Sequence, residues 1–381
     1  MTPLEIVLVA GARPNFMKIA PIYWALREHA ADHVRVTIVH TGQHYDAKMS
    51  DDFFRDLELP KPDVNLEVGS ASHAAQTARV MTGFERVLDE RRPDVVVVVG
   101  DVNSTAACAL VTTKMDYEPR RGGRSGGRRR PILAHVEAGL RSRDRAMPEE
   151  INRLVTDAIS DLLLTTCRDA DANLIAEGIA EDKIRFVGNP MIDSLRRSLA
   201  AAASSDVLAR VGVTAGAYGL CTLHRPSNVD DPRTLVEILA ALGEIAATTP
   251  ILLPLHPRTR ARLEAFGLAT AAGIVVREPL SYVEMLRVTR DAAFVLTDSG
   301  GVQEETTALG VACVTLRENT ERPVTISEGS NVLAGVSRHG IVAGLAAARS
   351  KVASGTRVPE LWDGHAGERI AAVLLAAGEG A

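Results

Sequence analysis

The segment Thr297-Asp-Ser-Gly-Gly-Val-Gln-Glu-Glu305 combines groups that can bind an anion with groups that can bind hydroxyls. It follows the apolar run 292–296, which predicts a short buried strand, and it opens a predicted helix. A strand that turns through Ser-Gly-Gly into a helix leaves backbone N–H groups and a positive dipole end where a phosphate can bind. Glu304 or Glu305 in the first helical turn can reach a sugar hydroxyl. Taken alone, the segment fits equally well a capped helix start that binds nothing.

Charged or imidazole side chains follow nearly every predicted strand of the chain. Ligands of open α/β sheets bind at the carboxyl ends of the strands, so residues at these positions are candidates for a site. The N-terminal half supplies acids, namely Asp101, Glu137 and, at a later helix start, Glu149 and Glu150. The C-terminal half supplies groups suited to a diphosphate: His256, Arg258, Ser299, Arg317 and Arg322. Carboxylates on one wall of a cleft and phosphate-binding groups on the other favour a nucleotide sugar as the ligand.

Each candidate also has a purely structural interpretation. Asp101 can simply cap the helix that follows it, and Glu149 lies in a first helical turn, where acids are electrostatically favourable. A histidine that follows a strand, such as His224, is more often a structural residue than a catalytic one. Arg141 is compatible with a position on the surface. Glu137 is different, because it leaves a buried strand, where a carboxylate needs a partner or a function.

Short β-branched runs alternate with helical patterns along the chain, which predicts parallel sheets covered by helices on both faces. The predicted strands are 5–10, 35–40, 94–99, 132–136, 218–223, 250–255, 274–276, 293–297 and 312–316. The predicted helices are 14–29, 73–91, 104–115, 149–164, 169–178, 232–247 and 300–309. The pattern relaxes near 188–215, where an alanine- and serine-rich helix follows Gly-Asn-Pro, and we expect a domain boundary there. The expected fold class is therefore α/β, with two doubly wound, Rossmann-like domains facing a cleft.

Composition and missing motifs exclude several classes of protein. The 381 residues carry a net charge of −5 and only 4% aromatic residues, which argues against a nucleic-acid partner. The four cysteines (Cys108, Cys167, Cys221 and Cys313) are scattered and the first residues lack a signal-peptide pattern, so we expect a cytoplasmic protein without a membrane partner. Dinucleotide, P-loop, zinc and nucleophile-elbow motifs are absent, so we expect neither a cofactor nor a metal. The glycine- and arginine-rich insertion 120–130 is interpreted as a solvated surface loop.

Taken together, the motifs resemble those of the non-hydrolysing UDP-N-acetylglucosamine 2-epimerases over nearly the whole chain. The matching segments are Gly11-Ala-Arg-Pro14, Thr41-Gly-Gln-His44, Gly100-Asp101, His135-Val-Glu-Ala-Gly-Leu-Arg141, Pro148-Glu-Glu-Ile-Asn-Arg153, Val187-Gly-Asn189, Leu223-His-Arg-Pro-Ser-Asn228, Leu255-His-Pro-Arg258, the segment 297–305 and Thr320-Glu-Arg-Pro323. The resemblance implies a two-domain GT-B-type fold whose last helix, 366–378, returns to the first domain. We therefore expect an N-terminal domain of 1–187 plus 366–381 that carries the catalytic acids, and a UDP-binding domain of 188–365.

The resemblance also implies a reaction and a role for each matching residue. The family interconverts UDP-GlcNAc and UDP-ManNAc without a redox cofactor, by removing the C2 proton while UDP leaves C1, through 2-acetamidoglucal. The residues that match the catalytic residues of the family are Asp101, Glu137, Glu149 and His224. UDP binding is implied for Arg13, Lys18, His256, Ser299, Gly300, Gly301, Glu305 and Arg322. We expect a homodimer that supplies ManNAc-type sugars for cell-surface polysaccharide.

The chain departs from the family pattern at several positions. Asn15 and Val324 stand where glutamates are frequent in the family. Tyr45, Ala75 and Pro226 stand where bacterial members have arginines that bind a second UDP-GlcNAc as an activator, so we expect weak or absent activation. Three other activities remain open: a GT-B glycosyltransferase, a hydrolysing 2-epimerase, and an epimerase of a modified UDP-HexNAc uronic acid. A catalytically inactive nucleotide-sugar sensor would lack one or more of the acids, and all of them are present.

Overall fold

The computed structural model describes residues 3–42, 54–117 and 129–379. The chain divides into two compact units, an N-terminal unit of Met1–Ser194 with Glu360–Ala381, and a C-terminal unit of Leu195–Pro359. Tyr45, one of the three residues that stand in place of the activator-binding arginines, lies outside the described residues, as does nearly all of the insertion 120–130. Among the helices that the structure describes, none has the length and apolar character needed to cross a membrane.

Within the described residues, the N-terminal unit is built on one parallel sheet of seven strands. In chain order the strands are β1 (Leu4–Ala10), β2 (Val34–His40), β3 (Val64–Asn65), β4 (Val95–Val99), β5 (Ile132–Ala138), β6 (Leu162–Thr165) and β7 (Ile184–Phe186). Their spatial order is β3-β2-β1-β4-β5-β6-β7. The helices of this unit include α1 (Arg13–Ala30), α2 (His73–Arg91), α3 (Asn103–Lys114), α4 (Pro148–Ile159), α5 (Arg168–Ala176) and, at the end of the chain, α15 (Ala366–Glu379). Helix α6 (Pro190–Ser204) begins in this unit and continues into the C-terminal unit.

The central strands are apolar along their length because helices cover both faces of the sheet. Strand β4 is a run of five valines, each at most 1% exposed. Its neighbour β5 is equally buried, although it contains His135 and Glu137. Parallel pairing of β4 with β5 brings Val99 opposite Val136. The residues that follow these two strands therefore meet at one edge of the sheet.

The C-terminal helix α15 is fixed to α1 by an interlocking set of contacts. Pro21 lies inside α1 and has no N–H, so the carbonyl of Met17 loses its helical partner. The Ser194 hydroxyl donates to that carbonyl over 2.6 Å. A Cβ at Gly367 would lie 2.5 Å from the Pro21 carbonyl oxygen, so only glycine permits this close approach. Asp193 accepts a hydrogen bond from the Gly367 N–H over 2.7 Å and thereby caps α15.

The described part of the C-terminal unit repeats this architecture with six parallel strands. The strands are β8 (Gly219–Thr222), β9 (Ile251–Pro254), β10 (Ile274–Arg277), β11 (Phe294–Thr297), β12 (Cys313–Thr315) and β13 (Asn331–Leu333), in the spatial order β10-β9-β8-β11-β12-β13. The helices are α7 (Val207–Val211), α8 (Pro226–Val229), α9 (Pro232–Ala246), α10 (Pro257–Phe266), α11 (Tyr282–Arg290), α12 (Gly300–Leu309), α13 (Val324–Ser327) and α14 (Arg338–Ala353). The core between α9, α14 and the sheet is almost wholly aliphatic.

The expected fold class, α/β with two Rossmann-like domains, is confirmed. One predicted element is wrong: the helix 149–164 ends at Ile159, and Leu162–Thr165 forms β6 between β5 and β7. Three leucines followed by a threonine fit a buried strand as well as a helix, and only pairing with neighbouring strands distinguishes the two. The prediction also missed the short strands β3, β7 and β13, which contain two or three residues each.

Candidate active site

Asp101 and Glu137 lie at the carboxyl ends of the neighbouring strands β4 and β5. The peptide N–H of Gly100 donates to the Val136 carbonyl over 3.0 Å, so the turn after β4 stays attached to β5 as the two strands end. Gly100 itself has a φ of +66°, which glycine adopts without strain. The turn therefore presents Asp101 beside the point where Glu137 leaves its strand.

Glu137 has an unusual backbone conformation for a non-glycine residue. Its φ is +68°, in the left-handed region, and its side chain is 3% exposed. Lys18 of α1 forms a buried ion pair with this carboxylate. A Cβ at Gly100 would lie 2.9 Å from Lys18 Nζ and 3.5 Å from Glu137 Oε2. The ion pair between Lys18 and Glu137 therefore packs directly against Gly100. Residues held in such strained conformations concentrate at functional sites, where surrounding contacts enforce them.

Asp101 is the more accessible of the two acids, with 30% of its side chain exposed. Arg153 of α4 pairs with it and also with Glu150, at 2.6 Å. Glu150 in turn accepts hydrogen bonds from the N–H groups of Ser142 and Arg143, over 2.9 and 2.8 Å. Glu150 is therefore a buried structural acid, whereas its neighbour in the first turn of α4 is exposed.

Glu149, the third predicted acid, is that exposed neighbour. It lies in the first turn of α4, the helix that also carries Arg153, and its side chain is exposed. A carboxylate in a first helical turn is favoured by the helix dipole alone. The structure thus brings Asp101, Glu137 and Lys18 together, and leaves the role of Glu149 as a prediction.

Arg13, predicted to bind UDP, begins α1. Burial lowers the pKa of this guanidinium, and the charge of Asp56 opposes the shift. The backbone N–H groups of Gly11 and Ala12 donate to the Asn15 side-chain oxygen over 3.0 and 2.8 Å. The first turn of α1 is therefore capped by its own side chain, and Arg13 is the part of this turn suited to an anionic ligand.

In the C-terminal unit, α12 starts with Gly300 and Gly301 directly after β11. Ser299 occupies the N-cap position, and its hydroxyl forms no capping bond within the described residues. The longer helices α9, α10, α11 and α14 of this unit are capped by side chains; Asp231, for example, accepts from the Thr234 N–H over 3.0 Å at the start of α9. The start of α12 thus retains backbone N–H groups and a positive dipole end of the kind that binds phosphate.

The guanidinium of Arg322 lies over this helix start. A Cβ at Gly300 would be 2.5 Å from Arg322 Nη1, so a larger residue there would collide with the arginine. Glu304 of α12 pairs with Arg322 Nε at 2.8 Å, and Glu321, which also pairs with Arg317 at 2.7 Å, lies 3.5 Å from Arg322 Nη1. Buried carboxylates therefore hold the guanidinium of Arg322 next to the positive end of a helix.

His224 and His256 follow the adjacent strands β8 and β9, and their ring centroids are 5.7 Å apart. His224 Nδ1 lies 2.8 Å from Asp298 Oδ1, and Asp298 also accepts from the N–H groups of His224 and Arg225. Burial alone would raise the pKa of Asp298, but the hydrogen bond and charge of His224 outweigh it and lower the pKa. Burial, and then the proximity of His224, lower the pKa of His256. Asp298 therefore fixes the ring of His224.

Glu305 is buried on α12, one residue beyond Glu304. Burial raises the pKa of Glu305 to about 8; the negative charge of Glu304 adds to the shift, and a hydrogen bond with Tyr282 opposes it. The folded protein without ligand consequently binds a proton at Glu305 at neutral pH. The unfolded chain releases that proton near its ordinary pKa of about 4.3.

This shift predicts a stability difference between the wild type and Glu305→Gln. A raised pKa contributes stability that is complete below the unfolded pKa and is lost as pH rises through the folded pKa of about 8. Glutamine cannot ionise, so we expect the melting temperature of the wild type, relative to the variant, to fall between pH 5 and pH 9. Differential scanning fluorimetry at pH 5, 7 and 9 without nucleotide measures this difference. Two curves that stay parallel over the whole range would show that Glu305 is ionised throughout.

Several residues of the site were missed from the sequence, and all of them act on other residues. They are His135, Arg141, Arg153, Asp157, Asp298 and Glu321. Glu304, one of the two glutamates considered for a sugar hydroxyl, pairs with Arg322. Arg141, which seemed compatible with the surface, is buried against Asp157 and Glu177, so that interpretation was wrong. The spacing of Glu150, Arg153 and Asp157 by three and four residues could have indicated that these charged side chains share one face of a helix. In the described ranges, no cluster of three or more His, Cys, Asp or Glu side chains is arranged to hold a metal ion.

The fold and these two groups of residues place the chain in the class of α/β enzymes built from two Rossmann-like units. A family model described as UDP-N-acetylglucosamine 2-epimerase matches residues 26–375. The chain therefore belongs to the UDP-N-acetylglucosamine 2-epimerase family, as the sequence motifs predicted.

Individual relatives agree with this assignment. The UDP-N-acetylglucosamine 2-epimerase of Methanocaldococcus jannaschii is 39% identical over 380 residues, covering 97% of this chain and 99% of the relative. The crystal structure of the M. jannaschii enzyme with UDP-GlcNAc and UDP superimposes with a TM-score of 0.87, covering 98% of this chain and 100% of that one. The UDP-2,3-diacetamido-2,3-dideoxy-D-glucuronate 2-epimerase of Pseudomonas aeruginosa is also 39% identical, over 89% of this chain and 90% of the relative.

Proposed function

We propose that this enzyme interconverts UDP-GlcNAc and UDP-ManNAc by eliminating UDP and adding it back. A base removes the proton from C2 while the C1–O bond breaks, and UDP leaves with the electron pair of that bond. The C1–C2 double bond that forms gives 2-acetamidoglucal. Returning UDP to C1 and a proton to the other face of C2 yields the epimer, so atoms and electrons balance without a redox step.

The observation that carries this proposal is the pair of acids Asp101 and Glu137 at neighbouring strand ends. Epimerisation through an alkene needs two proton-transfer groups, because the proton leaves one face of C2 and returns to the other. Glu137 is held by Lys18 in a strained conformation, and Asp101 is held by Arg153, so both acids are fixed in position. Glu149 and His224 are the further candidates for proton transfer.

We infer that the leaving UDP binds to the start of α12. Arg322 and the free N–H groups after Ser299 supply positive charge for a departing diphosphate, which is where negative charge develops in the transition state. His256 is the other candidate phosphate ligand in this unit, and Arg13 is the candidate in the N-terminal unit. Glu305 is the candidate for the ribose hydroxyls.

Proton NMR of UDP-GlcNAc with enzyme in D2O, without NAD or added metal, tests the proposed reaction. We expect UDP-ManNAc with deuterium at C2, because the proton that returns comes from solvent. Epimer that retains the original hydrogen would contradict elimination and re-addition. Free ManNAc with UDP would identify a hydrolysing 2-epimerase. UDP-GlcNAc that reacts only after an acceptor is added would favour a glycosyltransferase.

A second substrate class has support from one comparison. The P. aeruginosa relative that acts on a UDP-2,3-diacetamido uronic acid is as similar in identity as the M. jannaschii relative. The same NMR experiment with UDP-2,3-diacetamido-2,3-dideoxy-D-glucuronate compares the two substrates. A larger kcat/KM for the uronic acid would mean that the uronic acid is the natural substrate and that the reaction at C2 is the same.

A further inference from the structure

Helix α4 buries a charged face instead of an apolar one. Glu150, Arg153 and Asp157 are spaced by three and four residues, which places them on one side of the helix. Each of the three residues is at most 2% exposed. Charged side chains are almost never buried to this degree unless they are paired, so this face must have specific partners. Two of the partners are already described: Glu150 holds the loop at Ser142, and Arg153 holds Asp101.

The third residue of this face, Asp157, is linked directly to the turn that follows β5 and, through His135, to the turn that follows β4. Its Oδ2 accepts a hydrogen bond over 3.0 Å from the N–H of Gly139, two residues beyond Glu137. Its Oδ1 lies 2.6 Å from His135 Nδ1. His135 Nε2 lies 2.8 Å from the carbonyl oxygen of Gly100, the residue before Asp101. One carboxylate is therefore linked to the backbone beside each of the two candidate catalytic acids.

The charges around Asp157 fit this bridging arrangement. A carboxylate and a carbonyl oxygen can only accept, which suits the N–H donors of an imidazole and of a guanidinium. Arg141 adds a cationic contact to Asp157 at 2.7 Å, and Glu177 pairs with the other side of Arg141 at 2.6 Å. Burial alone would raise the pKa of Asp157, but the charges and hydrogen bonds of His135 and then Arg141 outweigh it and lower the pKa.

We propose that Asp157 is a positioning residue that, through His135 and Gly139, sets the distance and orientation between Asp101 and Glu137. The inference rests on the proposed function, in which these two acids act on opposite faces of one carbon. Such a reaction is sensitive to geometry, because a displacement of about 1 Å in a catalytic group can cost on the order of 10²-fold in rate. Asp157 does not touch the substrate in this scheme; it acts only through the two turns.

Asp157→Asn tests the proposal because asparagine has one acceptor oxygen where aspartate has two. With the amide oxygen on Gly139, the side-chain NH2 group faces His135 Nδ1 where a carboxylate oxygen stood, and the charge that pairs with Arg141 is lost, so the link to His135 is weakened. We expect kcat for UDP-GlcNAc epimerisation to fall by about 10²-fold, with KM and the Kd of UDP nearly unchanged. His135→Gln, which cuts only the link to Gly100, gives a second measurement if Asp157→Asn does not fold, and we expect the same separation of kcat from KM.

Asp161→Asn is the matched control. Asp161 also joins an arginine, Arg130, to a backbone N–H, that of Leu133, but it does so at the opposite end of β5. We expect Asp161→Asn to lower the melting temperature without lowering kcat at a temperature where the protein is folded. If the wild-type enzyme shows no epimerisation, the proposed function itself is wrong. With an active wild type, a normal kcat in folded Asp157→Asn or His135→Gln would overturn the positioning role alone, and so would an equal loss of kcat in Asp161→Asn.

Discussion

Glu137→Gln and Asp101→Asn should each lower kcat for epimerisation by about 10²-fold or more, the range that loss of general acid–base catalysis produces. Both substitutions keep the size of the side chain and remove its ability to exchange a proton. Glutamine at 137 also removes the ion pair with Lys18, and asparagine at 101 removes the charge opposite Arg153. Steady-state kinetics by NMR or a coupled assay, with UDP titration and thermal melting on the same samples, separates loss of catalysis from loss of binding or folding.

The choice of control matters because the acids of this unit differ in burial. Glu85→Gln is a suitable control, since Glu85 is exposed on α2, and it should retain the kcat of the wild type. Glu150→Gln is unsuitable, because this buried acid accepts several hydrogen bonds and its loss would disturb the loop at Ser142. Glu149→Gln should lose activity as strongly as the first two variants. Near-normal turnover in Glu149→Gln would show that this exposed acid only stabilises the start of α4.

The positions of the candidate acids could be predicted from the sequence because they depend on local order along the chain. A buried apolar run, a turn and a polar residue define a strand end, and parallel strands bring their carboxyl ends to one edge. Asp101 and Glu137 were found in this way. The boundary between α4 and β6 could not be predicted, because Leu162–Thr165 is apolar enough for either element and its pairing depends on residues distant in the chain.

The supporting residues were harder to predict for a physical reason. An arginine in a sequence is most often exposed, and its burial depends on whether a carboxylate from another element reaches it. Arg141 is buried because Asp157, sixteen residues later, and Glu177 on a further segment both reach it. The left-handed φ of Glu137 is likewise invisible in the sequence, since glutamate rarely adopts it. Both features arise from tertiary contacts.

In the C-terminal unit the sequence predicted where α12 begins, but not which side chains surround its first turn. The Ser-Gly-Gly turn after β11 was identified from residue types alone. The placement of Arg322 over Gly300, with Glu304 behind it, joins residues from two separate motifs. With Arg322 in this position, a side chain at the first residue of α12 would displace the guanidinium.

Gly300→Ala and Arg322→Lys should therefore weaken UDP binding through the same contact. A methyl group at Gly300 would lie 2.5 Å from Arg322 Nη1 and force the guanidinium away from the helix start. Lysine keeps the charge that Glu304 needs but cannot form the paired hydrogen bonds that arginine makes to phosphate. Loss of a hydrogen bond to a charged group costs about 1.5–3 kcal/mol, so we expect the Kd of UDP, measured by calorimetry, to rise by roughly 10- to 150-fold.

The two substitutions together test whether the arginine and the glycine form one phosphate site. If they do, Gly300→Ala adds little to Arg322→Lys, because the guanidinium that the methyl group displaces is already absent. Arg338→Ala removes an exposed arginine of the same unit, paired with Glu244, and should leave the Kd of UDP unchanged. Saturating UDP should raise the melting temperature of the wild type by mass action, and this rise should be smaller in both variants. Arg322→Lys with the UDP affinity of the wild type would show that the diphosphate binds elsewhere and that Arg322 serves only to neutralise Glu304.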